Sequence, residues 1–164
     1  DNRNQFVAFY EEDVSDAHQK LEIGLDHFSI SHPKLLKTKE ELHSDSVVVG
    51  KVKEDSVYKE VMGVVYADYF TYEKRMDAEG KGSIKISDLS TGETLSVKTY
   101  PMDQKWSTIW ASFNGDKRAL TKEEYELTNI SEPPAPSPEY FYDLISESLG
   151  AKLSKHVERF YSGY

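Results

Sequence analysis

The chain has 164 residues, a formal net charge of -9 and no cysteine. That length fits one domain with a sizeable core, and the absence of thiols excludes disulfides, zinc–thiolate sites and cysteine nucleophiles. Acids run along the whole chain, and the two dense basic clusters, at 34–39 and 51–59, are interleaved with them. This balance argues against nucleic acid and anionic membranes as partners.

Hydrophobic residues make up only 38%, yet 11 Tyr and 7 Phe supply bulky core material, so a folded chain is expected. No run approaches the ~18 apolar residues of a membrane span. The first residue is Asp1 rather than Met, which suits a chain trimmed from a longer precursor. A secreted or cell-surface setting is the expectation, with the cytoplasm as the other option.

Phe6, Tyr10, Val14, Ala17 and Leu21 recur at helical spacing and predict a helix from Asn4 to Lys20. Leu21, Ile23 and Leu25 then alternate as in a strand, and His32-Pro33 breaks the chain. Thr38-Lys39-Glu40-Glu41 has the form of a capping box and predicts a short helical turn. Val47 to Val52 reads as a strand stopped at Lys53-Glu54-Asp55. Val57 to Met76 reads as one bent strand or two, with Gly63 as a bulge.

Ser83–Ser87 and Thr94–Lys98 alternate cleanly around a glycine-containing turn, which predicts a hairpin. Pro101 is expected to end its second arm, and Trp106–Phe113 to form a further strand closed by Asn114-Gly115-Asp116. Leu120–Leu127 fits either a capped helix or an edge strand. The Pro-rich connector over 131–138 leads into a helix over 138–161. Ser137 caps that helix, Pro138 opens it, and Phe141, Ile145, Leu149, Leu153, Val157 and Phe160 form its stripe.

Helix, strands, helix in that order predict a single globular α+β domain over 1–164. Its sheet is expected to be antiparallel and curved, with about five to seven strands, an N-terminal helix and a long C-terminal amphipathic helix. Cystatin-like domains and other curved sheets with flanking helices offer an analogy of architecture only, which carries no activity.

The segment Val61–Tyr72, VMGVVYADYFTY, places apolar and aromatic groups on both strand faces. A strand with one wet face would alternate, so both faces of this one are expected to be covered. The candidate ligand-binding residues are Tyr66, Asp68 and Phe70 on one face, with Trp106 and Trp110 nearby in the strand region. Asp68 is a carboxylate amid aromatics, with acid–base use only if it is buried.

No catalytic set, metal site or cofactor is read from the sequence. The histidines 18, 27, 32, 43 and 156 form no helical ligand pair, and Gly80-Lys81-Gly82-Ser83 lacks phosphate-loop spacing and reads as a hairpin turn. Three functions follow. The first is a non-enzymatic binding or interaction module with a protein or small apolar ligand as partner. The second is a small-ligand cavity protein or small enzyme. The third is a structural subunit that pairs through its sheet.

Overall fold

A computed structural model of the protein describes residues 17–162. The expected helix at Asn4–Lys20 falls almost wholly outside the described residues, and at its end Gln19 already opens a strand. Four strands follow in chain order: β1 (Gln19–Ile30), β2 (Lys34–Glu54), β3 (Val57–Asp88) and β4 (Thr94–Gly115). After a short 3-10 turn (Lys117–Ala119) come α1 (Lys122–Leu127) and α2 (Pro138–Tyr161). The class is α+β with a mostly antiparallel sheet. The expected five to seven strands are four among the described residues, because several predicted segments fuse.

β3 is 32 residues long and is hydrogen bonded to each of the other three strands. Val57–Arg75 pairs antiparallel with β2, and Thr38–Glu41, read as a helical turn, lies opposite Thr71–Asp68. Pairing with β3 overrides the local capping signal there. The bulge expected at Gly63 sits on the partner strand, where the register shifts between Ser44 and Val47 and again between Val48 and Gly50. Pro101 does not end a strand, since β4 runs through it. Among the described residues β4 pairs with β3 alone, and an edge strand tolerates a residue without an N–H.

The chain divides into two compact units. The first comprises residues 17–29, 79–103 and 142–162. Its core is Ile84, Ile86, Met102, Ile145, Leu149 and Leu153, all at most 7% exposed. Gly80 and Gly82 are not in a turn but inside β3. A Cβ on Gly80 would lie 2.7 Å from Ile145 Cγ2, and one on Gly82 2.4 Å from Leu149 Cδ1. The two glycines are the seat of α2. The β3–β4 turn uses Gly92 at φ 74 as the hairpin pattern requires.

The second unit comprises residues 30–78 and 104–141. Val65, Ala67 and Ala119 form one core, with Leu42, Val47, Phe113 and Leu120 packed around it. The segment that the sequence left undecided, Leu120–Leu127, is helical over α1 and carries a complete capping box between Thr121 and Glu124. Tyr69 is 4% exposed and its O–H donates to the Glu124 carbonyl at 3.2 Å. Burial, then the Glu124 and Glu40 carboxylates, push this phenol above its usual value. The cover over Val65–Tyr69 is therefore the Lys117–Leu127 region.

Arg118 ties this region to the β2 bulge. Arg118 Nε donates to Asp116 Oδ1 at 2.9 Å and to Oδ2 at 3.1 Å, while its Nη1 donates to the Val48 carbonyl at 2.7 Å. The Arg118 side chain, with its backbone N–H, holds the Asp116 carboxyl at about 2 against an ordinary 3.8. A carboxyl depressed by folding contributes stability that is complete above the unfolded value and is lost as pH falls from about 4 through about 2. Urea midpoints at neutral pH and near pH 2.5 test this. Asp116→Asn should lower the neutral midpoint and flatten part of the acid decline, and an identical decline in both proteins would contradict it.

Candidate functional site

β3 carries a row of side chains at even positions 66 to 74, and the β2 register brings a second row beside it. His43 lies opposite Tyr66, Glu41 opposite Asp68, Lys39 opposite Phe70 and Lys37 opposite Tyr72. Lys39 Nζ is 3.0 Å from Asp68 Oδ2. Lys37 Nζ sits 4.6 Å from the Phe70 ring centre and 5.2 Å from that of Tyr72. The His43 and Tyr66 rings are 6.2 Å apart. Cations laid over aromatic faces and a carboxylate met by a lysine make a ladder of alternating chemistry.

β4 closes the far end of the row. Trp110 is 7% exposed and stacks on Tyr72 at 5.5 Å with 9° between the planes. The Tyr72 hydroxyl meets the Ser112 hydroxyl at 3.3 Å. That bond, helped by Lys37, holds the Tyr72 phenol below its usual value. Lys74 Nζ lies 5.5 Å from the Trp110 ring centre, pairs with Glu132 and donates to the Pro133 carbonyl at 3.2 Å. The Pro-rich connector is thus fastened beside Trp110.

The sequence candidates separate accordingly. Tyr66, Asp68 and Phe70 share the open row. Trp110 meets the row at its far end, at Tyr72 and Lys74. Trp106 is half-buried four residues earlier on β4 and makes no ring contact with the others among the described residues. Asp68 keeps 34% of its side chain exposed and has a lysine partner, so the condition for a buried carboxyl with acid–base use is not met. The sequence missed Lys37, Lys39 and His43. Their only signal was lysine at alternating positions, whose meaning depends on the β2–β3 register.

Comparison with family models, curated proteins and solved structures returned no match. Among the described residues no three His, Asp or Glu side chains converge as a metal site. No described helix is long and apolar enough to cross a membrane, which leaves membrane-crossing strands unaddressed.

The same strand pair changes character toward its turn. Val57, Tyr58, Met62 and Val64 on β3 are 62%, 68%, 53% and 44% exposed. Val49 and Val52 on β2 are 48% and 56% exposed. Val57 and Val61 point to one face of the ribbon, and Tyr58, Met62 and Val64 to the other. Of the two-faced apolar segment read from the sequence, Val65, Ala67 and Tyr69 are covered on one face, while Val61, Met62 and Val64 remain bare.

Proposed function

We propose that the protein is a non-enzymatic interaction module that grips a protein partner with the β2–β3 hairpin and the adjoining Tyr66–Phe70 row. The exposed apolar groups between Val49 and Val64, set among Lys51, Lys53, Lys59 and Glu60, carry this reading. Contiguous exposed apolar surface is uncommon on a monomer and marks contact sites. The cation–aromatic ladder beside it supplies a polar margin, as interfaces commonly have. A secreted or cell-surface setting goes with the reading as an expectation from the sequence.

Pairing of whole sheets through β2 is less well supported. β2 ends the hydrogen-bonded order, and it carries Lys34, Lys37, Lys39, Lys51 and Lys53 together with register shifts. Lysines and bulges are what edge strands use to prevent pairing. A small-ligand pocket on the aromatic row would need the Trp110 face that Tyr72 occupies.

A photo-reactive residue placed at Tyr58 or Met62, in cells that make the protein, should cross-link to a discrete partner. The same residue at Thr91 in the β3–β4 turn should not. Sedimentation at tens of micromolar, a range where ordinary association constants show, should give a monomer. A dimer there would favour the structural-subunit reading, and equal labelling from all three positions would defeat the module reading. Val57→Ser with Met62→Ser should abolish the specific cross-link yet change stability by only about 0.5 kcal/mol per site, since exposed groups lose little.

A further inference from the structure

The chain is strongly acidic, yet one recess of the first unit is lined by cations and by no carboxylate. α2 presents Lys152, Lys155, His156 and Arg159 around a recess of about 460 Å³. β4 supplies Lys98 and Tyr100 to its other wall, and Phe160 completes the lining. Positions 152, 155, 156 and 159 share one side of a helix. That side meets β4: Lys152 Nζ donates to the Pro101 carbonyl at 2.9 Å, and the His156 ring lies 3.0 Å from both the Ser96 and Tyr100 hydroxyls. Either hydroxyl can donate or accept, so the imidazole is held in position at both nitrogens.

Among the described residues, none of Lys98, Lys152, Lys155 and Arg159 has a carboxylate within ion-pair distance. Each ion pair found joins other cations to their acids. Cations near a helix C-terminus ordinarily answer the negative end of its dipole, an effect confined to the last turn. Lys152 lies well before that turn, and Lys98 is on a strand. The dipole accounts for Arg159 alone. Four like charges brought together from two elements repel one another unless an anion joins them.

We propose that this recess binds a phosphate-bearing ligand, its phosphate on the lysines and Arg159 and its attached organic body against Tyr100 and Phe160. Guanidinium matches phosphate oxygens in bidentate fashion and lysine adds point charge. The volume suits a small ligand or a lipid headgroup, and the aromatic walls suit an apolar or planar body. The site uses none of the hairpin residues and stands whether or not the hairpin binds a protein.

Calorimetry with inorganic pyrophosphate at low salt should show saturable one-to-one binding to the intact chain. Arg159→Glu and Lys98→Glu should each weaken it by about tenfold or more, the loss expected when a charged hydrogen-bond partner is removed. Arg159→Lys should retain most of it. Lys81→Glu, an equal charge change at an exposed β3 position, should leave it unchanged. Circular dichroism melts check that the variants stay folded. Pyrophosphate binding without sedimentation on phosphatidic acid vesicles assigns a soluble ligand. Vesicle binding displaced by pyrophosphate assigns a headgroup, and either result supports the site. Absence of pyrophosphate binding at millimolar concentration overturns the proposal, as does equal weakening by Lys81→Glu and Arg159→Glu.

Discussion

Replacing Phe141 with alanine should remove about 3–5 kcal/mol from the free energy of unfolding, read from guanidinium midpoints and slopes. Phe141 has no exposed surface and is among the largest fully buried side chains of the described residues. The loss combines the transfer free energy of the ring with the cavity left behind, because a packed surround closes only partly around the gap. Domains are stable by only about 5–15 kcal/mol, so one substitution would consume a large part of the margin. The neighbour Tyr140 is 46% exposed, although it makes an edge contact with Phe141 at 5.5 Å. Tyr140→Ala should therefore cost less than about 1 kcal/mol. Equal losses at the two positions would show that α2 is not seated by its stripe.

Gly82→Val should destabilise by about 1–3 kcal/mol, the usual cost of overpacking. Even the first added carbon would stand 2.4 Å and 2.7 Å from the two Leu149 methyls. Leu149 is only 7% exposed and has little room to turn aside, so α2 itself must shift. Gly82→Ala shows the same effect in smaller form, and Leu149→Ala should relieve it. The double variant is expected to be more stable than the sum of the two losses, since residues in contact are not additive. Gly150 gives the contrast: nothing lies within 4 Å of its added carbon. Gly150→Ala within α2 should gain about 0.5–1 kcal/mol from helix propensity alone. Losses of similar size at Gly82 and Gly150 would refute the close seat of the helix.

Elements whose signals are local were legible in the sequence. The stripe from Phe141 to Leu153 with its Ser137 cap gave α2, and Tyr140 N–H does donate to Ser137 Oγ at 3.4 Å. The turn Asp88–Glu93 lies where alternating arms and a glycine put it, with Asp88 accepting from the Ser90 and Thr91 backbone N–H groups. Strand lengths were not legible. Pro101 looks like a stop and Gly63 like a bulge, but an edge position accommodates the first and the bulges lie on the partner strand β2.

The two-residue period of a strand tells which residues share a face, not which face is covered. Along β3 the buried positions are odd from Val65 to Tyr69 and even from Met76 to Ile86. That change of phase depends on which distant segments pack where. The same reason separates what the sequence by itself determined about this protein from what only its tertiary structure decided. It determined the class, the C-terminal helix, the hairpin turn and the aromatic richness of Val61–Tyr72. Contacts between residues dozens of positions apart decided that Lys37 and Lys39 stand over that row, that the ribbon beyond it is bare, and that Lys98 faces Arg159 across a basic recess. Side-chain chemistry is written locally, but the convergence of charges and rings into a surface is fixed by register and packing, which no local pattern encodes.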